Sequence, residues 1–417
     1  MNLNQITKRP NCRLCNSKKI DMVLKMPASQ PVDNYLDPKN KDISLPKFKM
    51  DLYQCKSCGH AQLLDVVNPQ ILYGNYVYKS SSSPDLFKHF KFYTNFLVDH
   101  GYLKKNYKIL DIGSNDGLFL NFCKKQKAKT YGIDPAAEVS KVAIKNKHKI
   151  IVDYLNTNSV KKIKKNFSKT FEVITANNVF SHSDDLQGTL SCVSKLLDKN
   201  GAYIFEVSYL LDTINNRVID YIYHEHLSYH SIKPLKLFLK KQKMFIYDVI
   251  KVPTKGGSIR VVAGKNKDKE NKVLVSSLIA TEEAAGIYDK KLYVKIQKEI
   301  KSSKKILNAW INKNKKNKFF FAYGASATGT VLSLMLNIDK YLSGYIDDNP
   351  DKKDFLSPNS FLPVKNFKSI KNIKNKIIII LAWRFQKMII KKIREHDKLV
   401  TVISVNPNLK KIEFLNN

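Results

Sequence analysis

Four cysteines stand in two Cys-x-x-Cys pairs, Cys12/Cys15 and Cys55/Cys58, and this spacing is suited to metal binding. Each pair offers two thiolates on one tight turn, and two such turns close a tetrahedral sulfur site. Zn2+ suits that site, and four thiolates leave no open position on it, so the metal expected here is structural. The 39 residues between the pairs must hold structure of their own. His60, beside the second pair, is expected to be a bystander. The isolated Cys123 and Cys192 read as core residues.

A second constellation is Tyr223-His224-Glu225-His226, which sets a phenol, two imidazoles and a carboxyl in consecutive positions. Imidazole exchanges protons near pH 7 and needs a partner to fix its tautomer. Read as extended chain, the segment points Tyr223 and Glu225 to one side, and His224 and His226 to the other.

A third feature is an acidic glycine loop. Residues Tyr107–Ile112 read as a strand, Gly113-Ser-Asn-Asp-Gly117 as a turn, and the following LFLNFCKKQ as a helix. Turns at the carboxyl ends of parallel strands are where α/β sheets bind ligands. Asp116 in this turn repels a pyrophosphate, so the loop fits the cationic methionine portion of S-adenosylmethionine (SAM) better than a dinucleotide. The cofactor residues are then Asp111, Gly113, Asn115, Asp116 and Gly117 on the loop, with Asp134 for the ribose hydroxyls, Asp153 for the adenine amine and Asn178 near the methionine end. Asp111 and Asp134 lie 23 residues apart, as one strand–helix–strand step requires. A nicotinamide cofactor and a purely structural α/β unit are the alternatives.

These groups need elements to hold them. The strand at Tyr107–Ile112 is followed by others at 130–133, 148–152, 171–178 and 201–208, alternating with helices, which argues for a parallel doubly wound sheet. An amphipathic helix ending near Gly101 is expected from the pattern over 85–103, after a serine run read as a mobile loop. A long helix is expected over about 267–317, with Leu292, Ile296, Ile300, Leu307 and Trp310/Ile311 on one face. The tail repeats the strand–glycine turn–helix rhythm in KFFFAYGASATG, SGYIDD and KIIIILAWR. The fold class is therefore α/β: an N-terminal four-cysteine zinc module (1–72), a central Rossmann-like SAM domain (73–265) and a second Rossmann-like domain with its linking helix (266–417).

In their order, CxxC…CxxCGH, LYGNYVYKSS, LDIGSNDG, YGIDPA, ANNVFSH, IYHEHLSYHS, GGSIRV, YGASATG, YIDDNPDK and LAW resemble the SAM-dependent sugar C-methyltransferases that act on nucleotide-linked 4-keto-6-deoxysugars. The resemblance covers nearly the whole chain. It implies methylation of carbon, at C-3, through an enolate, for branched deoxysugar biosynthesis. His226 is then the base, Glu225 orients that imidazole or contacts the sugar, Tyr223 donates to the enolate oxygen, His182 assists, and Tyr78 closes the pocket. Arg260, with Gly256 and Gly257, and the second turn with Tyr323 and Gly324 are expected to hold the sugar diphosphate.

The charge admits another class. Lysine and arginine total 72 against 36 acidic residues, a formal net charge of +36, which invites a zinc-ribbon nucleic-acid binder. Yet only six of the 72 are arginines, the side chain best matched to bases and phosphates, and the lysines are spread over every segment. The expectation is no nucleic-acid partner, only mild steering of an anionic substrate. An O- or N-methyltransferase is the other enzyme reading; such nucleophiles need no enolate. The longest apolar run, Ile377–Trp383, is far short of the ~20 residues of a membrane span. With no signal-like N-terminus, a cytoplasmic monomer is expected.

Overall fold

The computed structural model describes residues 5–40, 45–73, 79–398, 400–405 and 412–415. Strands β1 (Ile6–Lys8), β2 (Ile20–Leu24), β3 (Leu52–Cys55), β4 (Ala61–Leu63) and β5 (Asp65–Val67) belong to the cysteine-bearing region. β1 pairs with β5, and β2, β3 and β4 form an antiparallel meander. A seven-stranded sheet follows, built from β6 (Lys108–Ile112), β7 (Lys129–Asp134), β8 (Lys149–Val152), β9 (Phe171–Asn177) and β10 (Leu197–Ser208). A two-residue strand β11 (Ser228–Tyr229) comes next, then β12 (Phe245–Val252) and β13 (Ser258–Gly264). The order is β12-β13-β10-β9-β6-β7-β8, with β13 antiparallel to both its neighbours. Order reverses between β6 and β9, so the turns after these two strands open a crevice at their carboxyl ends.

The C-terminal region holds β14 (Phe319–Tyr323), β15 (Leu342–Ile346), β16 (Val364–Lys365), β17 (Lys376–Ile380), β18 (Thr401–Val405) and β19 (Ile412–Leu415), in the order β16-β15-β14-β17-β18-β19. All but β19 are parallel, and the reversal lies between β14 and β17. This is a second doubly wound sheet. Among the described residues no helix is long and apolar enough to cross a membrane.

The amphipathic helix expected to end near Gly101 runs Pro84–Asp99, and Gly101 takes φ +70° just beyond it. Two expectations shift. The long helix is two, Lys272–Ala284 and Lys290–Asn314, broken where Gly286 turns at φ +70°. On the second of these, Ile296, Ile300, Leu307 and Ile311 are buried as the spacing requires, together with Tyr293, while Leu292 is only partly covered. The serine run is held in place: Ser80 N–H donates to Asn115 Oδ1 at 2.9 Å and Ser81 N–H to Asp116 Oδ2 at 2.9 Å.

The regions are stitched by polar contacts as well as by packing. β11 leaves the neighbourhood of the central sheet to pair antiparallel with β4. Trp383 Nε1 of the C-terminal region donates to Asp220 at 2.9 Å, and Val331 and Met335 of helix Ala327–Leu336 enter the central core. Glu282, fully buried, accepts from Tyr209 OH (2.9 Å), Tyr288 OH (2.5 Å) and the backbone N–H groups of Ile232 (2.6 Å) and Lys233 (3.1 Å) at the start of helix Ile232–Lys241. Four donors depend on this carboxylate. Glu282→Ala is expected to lower unfolding free energy by about 3 kcal/mol, seen as a reduced urea midpoint. A midpoint equal to wild type would show that the donors find other partners.

Candidate active site

The four cysteine sulfurs lie within 4.8 Å of one another, with Cys12 and Cys58 3.7 Å apart and Cys15 and Cys55 3.5 Å apart. Zn–S bonds of about 2.3 Å place tetrahedral sulfurs about 3.8 Å apart. All four are free thiols, so the cluster fits zinc. His60 stands outside it. Its ring is buried, with Nε2 3.2 Å from Ser228 Oγ and its plane tilted against His230.

The crevice at the β6/β9 reversal is shaped by its glycines. At Gly113 (φ +72°) a Cβ would lie 2.3 Å from Val179, so no side chain fits where the chain turns over β9. Gly117 (φ +79°) starts the next helix in the left-handed region. Asp134, ending β7, accepts from Asn115 N–H (2.9 Å) and Ala136 N–H (2.8 Å), one on each oxygen. Each oxygen keeps a lone pair, an arrangement suited to two adjacent hydroxyls such as those of a ribose. Asp111 is buried beneath the loop, accepting from Thr175 Oγ1 (2.6 Å) and Asn177 Nδ2 (3.3 Å); burial pushes its carboxyl up to about 7. Asn178 turns at φ +57° on the far side of the crevice. Asp153 stays at the rim, paired with Lys162 at 2.9 Å, which holds its carboxyl below the usual range. Asn115, Asp116 and Asp134 are thus drawn together, the donor set fits a ribose-bearing cation, and Asp153 adjoins it, its backbone N–H donating to Asp134 C=O at 3.2 Å.

The segment expected to be extended is a turn. His226 N–H donates to Tyr223 C=O at 2.9 Å, so Tyr223 and His226 meet on one side with ring centroids 4.3 Å apart. His226 also stacks on Tyr221 at 4.4 Å and faces His182 at 5.1 Å. His224 turns away onto Phe48. The tautomer is not set by Glu225. A carbonyl only accepts, and His226 Nδ1 lies 2.8 Å from Tyr221 O, so the proton is on Nδ1 and Nε2 keeps its lone pair. Burial, with His182 and Lys255 adding to it, holds the imidazole of His226 neutral well below its ordinary range, and burial pushes His182 down to about 3. Glu225 is pushed up to about 7, first by burial and then by Asp33. Burial raises the Tyr223 hydroxyl well above its ordinary value. Tyr78 lies outside the described residues.

The residues expected to hold a diphosphate are placed differently. Arg260 is buried on β13, paired with Glu206 Oε1 (Nε 2.7 Å, Nη2 2.6 Å) and stacked 3.8 Å over Tyr93; Glu206 also bonds His89 at 2.7 Å. Its charge is answered within the fold because β13 faces β10 across the sheet. Gly256 and Gly257 are needed by packing: a Cβ would meet Val218 at 2.9 Å and Asp212 at 2.3 Å. Tyr323 is buried and donates to Asp348 Oδ1 at 2.9 Å. Gly324 (φ +115°) backs onto Ala382. The turn it opens copies the first one: Asp347 accepts from Ala325 N–H and Asn349 N–H, both at 2.9 Å. Sequence reasoning missed Asp33 and Lys255, which come from distant segments, and Tyr221, which lies five residues before His226 and acts through its carbonyl.

Three family models match in chain order: a putative zinc binding domain over 12–73, a methyltransferase domain over 87–242 and a C-methyltransferase C-terminal domain over 253–403. The C-methyltransferase NovU of Streptomyces niveus is 24% identical over 402 residues, 92% of each chain. Among solved structures, the SAM-bound magnesium protoporphyrin IX methyltransferase of Synechocystis covers 43% of this chain and 79% of its own, at 13% identity and TM-score 0.33. A SAM-dependent methyltransferase of Clostridium acetobutylicum covers 47% and 94%, at 14% identity and TM-score 0.33.

Two measurements check the site. Asp134→Ala is expected to weaken SAM binding about 30-fold by calorimetry, because two hydroxyl hydrogen bonds to a carboxylate are lost; unchanged affinity would remove Asp134 from the cofactor contact. Elemental analysis should find one zinc per chain, and Cys55→Ser should release it. With the sulfur cluster, the acid-lined crevice and the three matched regions in this order, the chain is a SAM-dependent C-methyltransferase with an N-terminal zinc-binding domain.

Proposed function

We propose that the enzyme methylates a ring carbon, C-3, of a nucleotide-linked 4-keto-6-deoxysugar through an enolate, with boundaries at 1–72, 73–265 and 266–417 for its zinc, cofactor and sugar-nucleotide domains. The observation that carries this reading is the state of His226: a buried, neutral imidazole whose Nδ1 proton is held by Tyr221 O, leaving Nε2 as a base beside two phenols. Carbon has no lone pair to offer, so a C–H must first be acidified by an adjacent ketone. Oxygen or nitrogen nucleophiles ask for less base than this cluster provides. Similarity to NovU over 92% of the chain agrees with carbon as the acceptor.

SAM, when bound, supplies an electrophilic sulfonium methyl at the crevice. The chain's residues do the rest. His226 Nε2 takes the proton from the carbon beside the ketone. Tyr223, kept protonated by burial, donates to the developing enolate oxygen. Glu225 balances the imidazolium that forms, and His182 walls the pocket on the far side at 5.1 Å. The lysine excess draws the dianionic diphosphate towards the enzyme.

In D2O, with SAM omitted, the matching nucleotide ketosugar should exchange the hydrogen beside its ketone, and with SAM present it should gain a methyl on that carbon. His226→Ala should slow exchange at least about 100-fold with SAM affinity intact. Methyl found only on oxygen or nitrogen would refute the reading. Glu225 must be ionised to balance the imidazolium, and its carboxyl sits at about 7. The rate should therefore fall as pH drops through about 7, and Glu225→Gln should flatten that limb. His226, neutral to well below its ordinary value, should leave no limb of its own there.

A further inference from the structure

Arg13 sits inside the first zinc knuckle, between Cys12 and Cys15, and is completely buried. Its guanidinium reaches two separate segments of the catalytic domain. Nε donates to Asp184 Oδ1 at 3.0 Å, two residues past His182, and Nη2 lies 2.9 Å from the same oxygen as an ion-pair contact. Nη1 donates to Leu227 O at 3.2 Å, one residue past His226, and also to Leu63 O. The backbone N–H of Arg13 bonds Gln62 Oε1 at 3.0 Å, and Gln187 Nε2 bonds Arg13 O at 3.4 Å. Leu63 N–H donates to Leu227 O at 3.0 Å, so this carbonyl is held from both the knuckle and β4.

We propose that Arg13 is a positioning residue: the first zinc knuckle holds its guanidinium as a clamp that fixes the 5.1 Å approach of His182 to His226. The planar fork is what the role demands, since donors in one plane reach a carboxylate on one side and two carbonyls on the other. A lysine supplies a point charge and cannot span both. Zinc then has a task beyond closing a small fold. Bound by Cys12 and Cys15 among the four cysteines, it would fix the turn from which the clamp projects, and a shift of about 1 Å between catalytic groups is enough to cost on the order of 100-fold in rate. This inference rests on the reading of His226 as the base.

The test uses the full zinc-loaded chain with Arg13→Lys and, should that variant fail to fold, Asp184→Asn, whose side chain is 41% exposed and keeps an oxygen for Arg13 and for its second partner, Arg9, at 3.1 Å. Zinc content and SAM affinity should stay at wild-type values. The kcat for exchange should fall on the order of 100-fold in Arg13→Lys and about tenfold in Asp184→Asn, with KM little changed. Without any substrate, the imidazole NMR resonances of His182 and His226 should move in both variants, while those of His396, stacked on Phe367 in the C-terminal sheet region, stay in place. Wild-type kcat and unmoved resonances in Asp184→Asn would overturn the clamp, as would a kcat loss that merely follows loss of zinc and SAM binding. If resonances move but wild-type enzyme exchanges no ketosugar proton, the clamp stands and the assignment of His226 as base falls.

Discussion

The candidate site depends on how one short stretch, residues 219–230, is held. Its backbone makes no long ladder of its own. Asp220 is pinned by Trp383 from the C-terminal sheet region. Ser228 and Tyr229 are taken into the zinc-bearing sheet by β4. Leu210 N–H donates to His230 C=O at 2.8 Å from the central domain, and Glu282 receives the N–H groups that follow. Between these anchors the chain makes a single turn that presents His226 with its tautomer fixed. No one domain holds that geometry alone, because the anchors come from all three.

Local features were readable in the sequence and distant ones were not. The cysteine pairs announce the metal because both thiolates of a pair come from one turn. Asp134 is readable because a strand, a glycine turn and an acid recur at the spacing of one strand–helix–strand step. The Tyr223–His226 segment was legible as chemistry and misread as geometry. Alternation applies to strands, and here the strand starts only at Ser228. Arg260 looked like an anion ligand because its partner, Glu206, is 54 residues away and visible only across the sheet. Tyr221 contributes through its carbonyl, which no side-chain pattern encodes.

Two turns of the molecule share one device. In each doubly wound sheet an aspartate at the end of the second strand receives the backbone N–H of the glycine turn and that of the residue two positions on. The surroundings differ. In the central domain the loop carries Asp116 and is overlaid by Ser80 and Ser81. In the C-terminal one it carries Ser326 as a helix cap, and Lys352 reaches Ala325 O at 2.9 Å while pairing with Asp33 at 3.0 Å. The same scaffold thus meets an acidic loop in one half and a cation in the other.

The borrowing of β11 by the zinc sheet also dictates a sequence of events during synthesis. Cys58, the last ligand, leaves the ribosome early, so metal can be captured while most of the chain is unmade. The free edge of β4 must then wait for Ser228 and Tyr229. At 5–20 residues per second that interval is roughly 10–30 s. For that time a metal-loaded fragment carries an open strand edge, the kind of surface that pairs with other chains. Pairing of β11 with β4 covers that edge and draws in the chain next to the Tyr223–His226 turn, whose remaining anchors, Glu282 and Trp383, are made later still.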